Sequence, residues 1–196
     1  LIMEAMNYEC CKNLAGESHT LRDFFMLMTS LVEREDSQYS YLNTDVALND
    51  QGVVTGACVS YDGGSLLSLR EAFLEEALWR LGIDYSKMDP ETQNGEFYID
   101  SLCVHSSFRR QGIATALLQS ALHKAQRYSL PAGLLVDESN PKAEQLYHRM
   151  GFTYRNASVW SGHAMKHLVH PLPSASVPDK PDANGLSSPE APCCDY

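Results

Sequence analysis

The sequence predicts a mixed α/β domain in which helices pack against a central sheet. Segments with the apolar spacing of helices alternate with short runs that have the two-residue period of strands. Glycine and proline separate these segments, for example at Gly63 and Gly64, at Gly82, and at Asn140 and Pro141. The chain has 196 residues, 44% of them hydrophobic, which suits one domain of ordinary size.

The charge balance narrows the classes of partner. The chain carries 15 lysine and arginine residues against 25 aspartate and glutamate residues, a formal charge of −10. Such a charge repels a phosphate backbone and an anionic membrane. We therefore expect neither a nucleic acid nor a membrane as a partner.

The cysteines indicate a reducing compartment. Four of the six form two adjacent pairs, and the other two lie alone in apolar runs, which is not the spacing of a disulfide framework. They are Cys10, Cys11, Cys58, Cys103, Cys193 and Cys194. No apolar run reaches the length of a membrane span, and no secretory leader precedes the first helical segment. We predict a cytoplasmic protein.

The first two segments are predicted to be helices. Residues 1–14 place apolar side chains at helical spacing, and residues 21–35 do so again, with an end near Asp36. No strand precedes the first helix, so we expect that the chain begins part-way through a secondary-structure element.

A hairpin and a further helix follow. Residues 44–64 indicate two strands joined by a turn at residues 49–52. Ser68 and Glu71 have the spacing of a capping box, which predicts a helix that ends at Gly82. We interpret residues 65–94 as a helical insertion.

The second half of the chain alternates strands and helices. In chain order we predict a strand over 95–104, a loop over 105–112, a helix from Ile113, a strand over 132–137, a helix from Asn140 to Gly151, and strands near 152–157 and 163–169. The domain spans residues 1–170. Residues 171–196 are rich in proline and poor in large apolar side chains, which predicts a disordered tail.

Residues 108–114, FRRQGIA, predict an anion site between a strand and a helix. The first amides of a helix have no partner within it, and the helix dipole adds positive charge there. Arg109 and Arg110 add two full charges, and Gly112 removes a Cβ where a phosphate would approach. The alternative is a helix that begins with solvated arginines. That arrangement is disfavoured, because cations interact poorly with the start of a helix.

Two motifs resemble the GNAT superfamily of acetyl-CoA-dependent N-acetyltransferases. RRQGIA, residues 109–114, is similar to its acetyl-CoA motif Gln/Arg-x-x-Gly-x-Gly/Ala, and NPKAEQLYHRMGF, residues 140–152, is similar to a second signature. Two smaller differences are Ala114 in place of the last glycine and Ser106 where a proline is common in the family. The resemblance extends over residues 1–170.

The resemblance implies a mixed sheet flanked by helices, whose usual first strand this chain lacks. It also implies that acetyl-CoA enters as co-substrate where the strand ending at Val104 splays from the strand at 132–137. The residues implied to contact it are Leu102, Cys103, Val104, Arg109, Arg110, Gln111, Gly112, Ile113, Ala114, Thr115 and Asn140.

Acetyl transfer needs a base for the amine and an acid for the departing thiolate. Tyr147 matches the family's proton donor, and its ordinary pKa of about 10 lies above the value of about 8.5 for a thiol. The alternative is a core aromatic. For the base we favour Asp100 or Glu96, which share a strand face unless a bulge intervenes. Glu96 is alternatively a solvated strand end.

An acceptor pocket is predicted after the second helix, where acidic and aromatic residues suit a cationic amine. The candidates are Glu35, Asp36, Tyr39, Tyr41 and Asp62. The alternative is a solvated helix end, because clusters of charge are common there.

The histidines of HAMKHLVH do not predict a metal site. On a strand His163 and His167 share a face but lie ~13 Å apart at about 3.3 Å per residue, too far to share one ion. His170 points to the other face.

Together these features predict an enzyme that transfers an acetyl group from acetyl-CoA to a primary amine of a small molecule or peptide, directly in a ternary complex. The alternative is a regulatory module that binds acetyl-CoA without turnover. We expect a monomer or a homodimer, with no metal.

Overall fold

The computed structural model describes residues 1–172, and the predicted disordered tail lies almost entirely outside them. The α-helices in the described residues are α1 Ile2–Met6, α2 Tyr8–Ala15, α3 Leu21–Glu33, α4 Leu66–Leu81, α5 Ile113–Tyr128 and α6 Pro141–Arg149. The strands are β1 Thr44–Leu48, β2 Val54–Asp62, β3 Phe97–Val104, β4 Ala132–Asp137, β5 Thr153–Trp160 and β6 His163–His170. This is the predicted mixed α/β class.

The strands form one sheet in the order β1-β2-β3-β4-β6-β5. All neighbours are antiparallel except β3 and β4, which are parallel. The parallel pairing covers only Phe97 with Ala132 and Tyr98 with Gly133. Beyond Tyr98 the two strands separate, so the sheet splays in the place that the resemblance implied.

A bulge in β3 lies at Asp100. Val59 of β2 pairs with Ser101, and the next residue, Ser60, pairs with Ile99, so Asp100 is left without a partner in the ladder. An extra residue of this kind changes the side-chain alternation of the strand. Because of the bulge, the two-residue alternation that placed Glu96 and Asp100 on one face does not apply across Asp100.

Helices cover both faces of the sheet. Cys58 of β2 packs in a cluster with Leu117 and Leu118 of α5, whereas its neighbour Val59 packs with Leu66 of α4. Adjacent residues of a strand point to opposite faces, which accounts for the two clusters. A third cluster joins α2, α3 and α4.

The single helix predicted over residues 1–14 is wrong. Asn7 adopts a φ of 62° between α1 and α2, and its side chain accepts a hydrogen bond of 2.8 Å from the amide of Cys10. Asparagine is among the residues that most often tolerate positive φ. The chain therefore turns at Asn7 and starts a new helix.

The capping box predicted at Ser68 and Glu71 is also wrong. The turn at Gly63–Ser65 continues directly into α4, which begins at Leu66, and the Ser68 hydroxyl donates to the carbonyl of Ser65 at 2.9 Å. A capping box occurs instead at the start of α3, between Thr20 and Asp23.

Most of the remaining boundaries agree with the sequence prediction. The hairpin, the end of α4 at Gly82, the strand at 132–137 and the Asn140 cap of α6 all occur as expected. In residues 1–172 no helix is both long and apolar enough to cross a membrane.

Candidate active site

A cleft of about 200 Å³ opens beside the splay between β3 and β4. The turn between α1 and α2, strands β3 and β4, helix α6 and the tip of the β5–β6 hairpin contribute to its wall. The polar lining residues used below are Tyr39, Glu91, Asp100, Asp137, Asn140, Tyr147 and His163.

The loop after β3, residues 105–112, leads into α5 with two positive φ angles, 65° at Arg110 and 82° at Gly112. In residues 1–172 the amides of residues 110–115 donate no backbone hydrogen bond, and no side chain caps α5. The space that a Cβ on Gly112 would take is open. We call residues 102–115 the loop region, since it offers an approaching anion free amides at the start of a long helix.

The arginines of the loop region have different surroundings. Arg109 Nε donates to the carbonyl of Val104 at 3.0 Å, so its side chain folds back on the end of β3. Arg110 is exposed.

Helix α6 brings two predicted residues to the other side of the splay. Asn140 caps the helix by accepting a hydrogen bond of 3.2 Å from the amide of Ala143. About two turns later Tyr147 lines the cleft and meets Phe152 edge to face, with ring centroids 5.9 Å apart. Burial raises the pKa of the Tyr147 hydroxyl, so the group, which is protonated at neutral pH in any case, holds its proton more tightly than an exposed tyrosine.

Asp100 accepts several hydrogen bonds beneath the cleft. Its donors are Tyr61 at 2.8 Å, Gln38 at 3.2 Å and Ser101 at 2.8 Å. Burial raises the pKa of Asp100, and these bonds together with the charge of Arg70 offset the rise only in part. Asp100 is half-buried and lines the cleft, and its raised pKa makes the carboxylate more basic than an exposed one.

Gln38, Tyr61, Arg70 and Glu91 surround Asp100, and the sequence analysis selected none of these four residues. Gln38 also donates to Glu91 at 3.2 Å, and Glu91 pairs with Arg70 in an ion pair in which both side chains are buried. We call Gln38, Tyr61, Arg70, Glu91 and Asp100 the carboxylate region. Its members come from five separate segments, so no local motif connects them.

Glu96 occupies a different environment. Its carboxylate lies 2.8 Å from His167 Nε2, accepts from Thr92, and lines a separate cleft with Asn156. Burial disfavours the charged form, but the contacts with His167 and Thr92 outweigh it and lower the pKa of Glu96. Glu96 and Asp100 are therefore not brought together.

Of the residues predicted for the acceptor pocket, Tyr39 lines the cleft. The others lie elsewhere: Glu35 accepts from the exposed Tyr41 hydroxyl, Asp36 binds Arg34, and Asp62 caps the turn before α4. The cleft thus includes Tyr39 from the predicted segment, whereas Glu35 and Asp36 of that segment lie on the surface.

The β5–β6 hairpin and the α1–α2 turn add further residues to the cleft. Trp160 and His163 come from the hairpin tip, and Cys10 follows the turn at Asn7. His163 Nδ1 lies 3.4 Å from Asp137. Cys10, like the other three cysteines in the described residues, is buried and unpaired.

The sequence of the chain matches a family model. The model, described as the Acetyltransferase (GNAT) family, covers residues 16–152. The chain belongs to this family. The resemblance found in RRQGIA and NPKAEQLYHRMGF is confirmed, and this GNAT chain is an N-acetyltransferase of a family that uses acetyl-CoA.

Solved structures share the fold of this GNAT chain. An N-acetyltransferase from Staphylococcus aureus Mu50 superposes with a TM-score of 0.71 and 23% identity, covering 86% of this chain and 92% of that one. A crystal structure described as an acetyltransferase gives a TM-score of 0.66 and 23% identity over 85% and 97% of the two chains.

A more distant match is a histone acetyltransferase HPA2 and related acetyltransferase from Corynebacterium glutamicum ATCC 13032, with a TM-score of 0.53 and 20% identity over 80% of this chain and 76% of that one. At this level of identity the similarity describes the fold. None of the curated proteins compared with the sequence matches it.

Proposed function

We propose that this GNAT chain transfers the acetyl group of acetyl-CoA directly to a primary amine of a small molecule or peptide, in a ternary complex. The observation that carries the proposal is that Asp100 and Tyr147 line one cleft, beside the splay in the sheet. A half-buried carboxylate and a protonated phenol can serve as the base and the acid that amine acetylation needs.

The loop region would hold acetyl-CoA. The amides of residues 110–115 would bind the pyrophosphate, with Arg109, Gln111 and Gly112 shaping the loop around it. The backbone of Leu102, Cys103 and Val104 has no β4 partner and would pair with the pantetheine arm, although the Val104 carbonyl also accepts from Arg109 Nε. Asn140 would contact the same arm from α6.

Asp100 and Tyr147 would share the proton transfers. Asp100 accepts a proton from the ammonium group of the acceptor, and the free amine then attacks the thioester carbonyl carbon. The carbon–sulfur bond breaks, and Tyr147 donates its proton to the departing sulfur. The nitrogen gives up its second proton, which restores the Tyr147 phenol, and Asp100 releases the first proton to solvent. The products are the N-acetylated amine and the free thiol of CoA. Glu96, the other base considered, is held by His167 and Thr92 outside the cleft, which favours Asp100.

Tyr39 would form part of the acceptor wall, and Glu35, Asp36, Tyr41 and Asp62 would act on the acceptor only from the surface. The charge of −10 and the unpaired cysteines favour a cytoplasmic setting without nucleic-acid or membrane partners.

The proposal is tested by following release of the CoA thiol with a panel of primary amines. We expect amine-dependent release by the wild type and a decrease of about 10²-fold or more in kcat for Tyr147→Phe, because general acid catalysis contributes on that scale. Background rates with every amine, together with an increase in melting temperature on adding acetyl-CoA, would indicate a binding module instead.

A further inference from the structure

Two acids of the carboxylate region share one amide. Gln38 Nε2 lies 3.2 Å from Glu91 Oε1 and 3.2 Å from Asp100 Oδ2. Both acids line the cleft. Two carboxylates this close repel each other unless a cation compensates their charge.

Arg70 supplies that cation but does not face the cleft. Its side chain is 4% exposed, pairs with Glu91, and donates from Nη1 to the carbonyls of Met88 at 3.2 Å and Asp89 at 3.1 Å. These bonds fix the segment that carries Glu91. Arg70 is thus a positioning residue that pairs directly with Glu91, while its charge also acts on Asp100.

The cleft itself offers an acceptor no basic side chain from lysine or arginine among the described residues. Its lining contains three carboxylates, those of Glu91, Asp100 and Asp137, and one histidine, His163, which lies beside Asp137. With Arg70 offsetting Glu91, the charge of Asp100 is left for the incoming ammonium group. A carboxylate on the acceptor would find no counter-charge there.

We infer that Glu91 determines acceptor specificity, by favouring amines that carry no carboxylate beside the reacting nitrogen and disfavouring free amino acids. The inference rests on the proposed function. An ammonium group entering the carboxylate region brings the net charge of Arg70, Glu91, Asp100 and the acceptor to zero. A free amino acid adds one negative charge to that sum, in a partly buried site that Glu91 lines.

Three acceptors of nearly equal size test this inference: alanine amide, alanine methyl ester and alanine. We expect the wild type to acetylate the amide and the ester with similar kcat/KM. We expect it to use the free acid at least about tenfold less well, because like charges a few ångströms apart in a partly buried site repel by more than 1.4 kcal/mol.

Variants at one position then separate charge from packing. Glu91→Gln removes the charge and should lower the amide-to-acid ratio at least about threefold, a difference within the range of a single partly buried charge interaction. Glu91→Asp keeps the charge and should keep the ratio. Each variant is assayed with the same acceptors, so differences in basicity among the acceptors cancel when the ratios of wild type and variant are compared. Glu75→Gln removes an exposed acid on α4 and should leave the ratio unchanged.

Two results would overturn the inference. One is a wild type that acetylates alanine and alanine methyl ester with equal kcat/KM. This result decides the matter even where a variant fails to fold. The other is an equal change in ratio for Glu91→Gln and Glu91→Asp. If no amine releases thiol, the proposed function fails; if amines react without this preference, the specificity inference alone fails.

Discussion

The loop region reaches the cleft through Leu102 and the carboxylate region through Glu91 and Asp100, but the two regions are constructed differently. The loop region is one continuous segment, residues 102–115, and the groups it offers are backbone amides. The carboxylate region collects side chains from five segments between residues 38 and 100, buried and bonded to one another. A site made of backbone amides suits the cofactor, which is the same in every reaction. A site made of side chains can be altered by substitution to suit a different acceptor.

The difference predicts that chemistry and cofactor binding can be separated by mutation. Asp100→Asn keeps the size of the side chain but removes the base. We expect kcat/KM to decrease by about 10²–10⁴-fold, the usual contribution of a general base, with little change in acetyl-CoA binding.

The pH profile distinguishes a base from a structural acid. The pKa of Asp100 is raised by burial, so in the wild type kcat/KM should decrease as pH falls through a value above the ordinary one for aspartate. The residual activity of Asp100→Asn should lack this acidic limb. A limb that persists in the variant would assign it to another group.

Gly112→Asp should affect the opposite region. A carboxylate at a φ of 82° would occupy the open space beside the free amides and repel a pyrophosphate. We expect acetyl-CoA affinity to decrease about 10²-fold or more, equivalent to at least about 2.7 kcal/mol. Calorimetric titration measures this directly, and unchanged affinity would mean that the pyrophosphate binds elsewhere.

Glu96→Gln should affect stability more than chemistry, because Glu96 lies outside the cleft. Its folded-state pKa is lowered, so its contribution is present above its unfolded-state value of about 4.3 and is lost as pH falls through the lower folded-state value. We expect the variant to lose about 1–3 kcal/mol at pH 7.

Urea unfolding at pH 7 and pH 3 provides the check on Glu96. The difference between wild type and variant should shrink at the lower pH. If Glu96→Gln instead decreased kcat as much as Asp100→Asn at equal stability, the assignment of the base would have to change.

The smallest effect is expected from Gly82→Ala, which serves as a control for Gly112→Ala. Both glycines have positive φ, 66° and 82°, and open space where a Cβ would lie. Each alanine should cost about 1 kcal/mol of unfolding free energy from backbone strain. Only Gly112→Ala should also weaken acetyl-CoA binding. If both variants weakened it equally, the effect of Gly112→Ala could not be assigned to the loop region.

The same contrast explains what the sequence could predict. The loop region and the Asn140 cap are local, so residues 108–114 and 140–152 contained the information for both. Asn7 broke a helix whose apolar spacing looked continuous, because spacing does not record a positive φ. The residues Arg70, Glu91 and Gln38 are distant in sequence and meet only through tertiary packing. The bulge at Asp100 changes the side-chain alternation of β3, which the sequence pattern does not reveal.

The most direct test of the central claim uses acetyl-CoA labelled in its acetyl group, incubated with the protein with and without a primary amine. Mass spectrometry of the amine and the protein should find one labelled amide for each CoA thiol released, only when both substrates are present, and no label on the protein. Labelled protein formed in the absence of amine, or thiol release without an acetylated amine, would contradict direct transfer in the cleft.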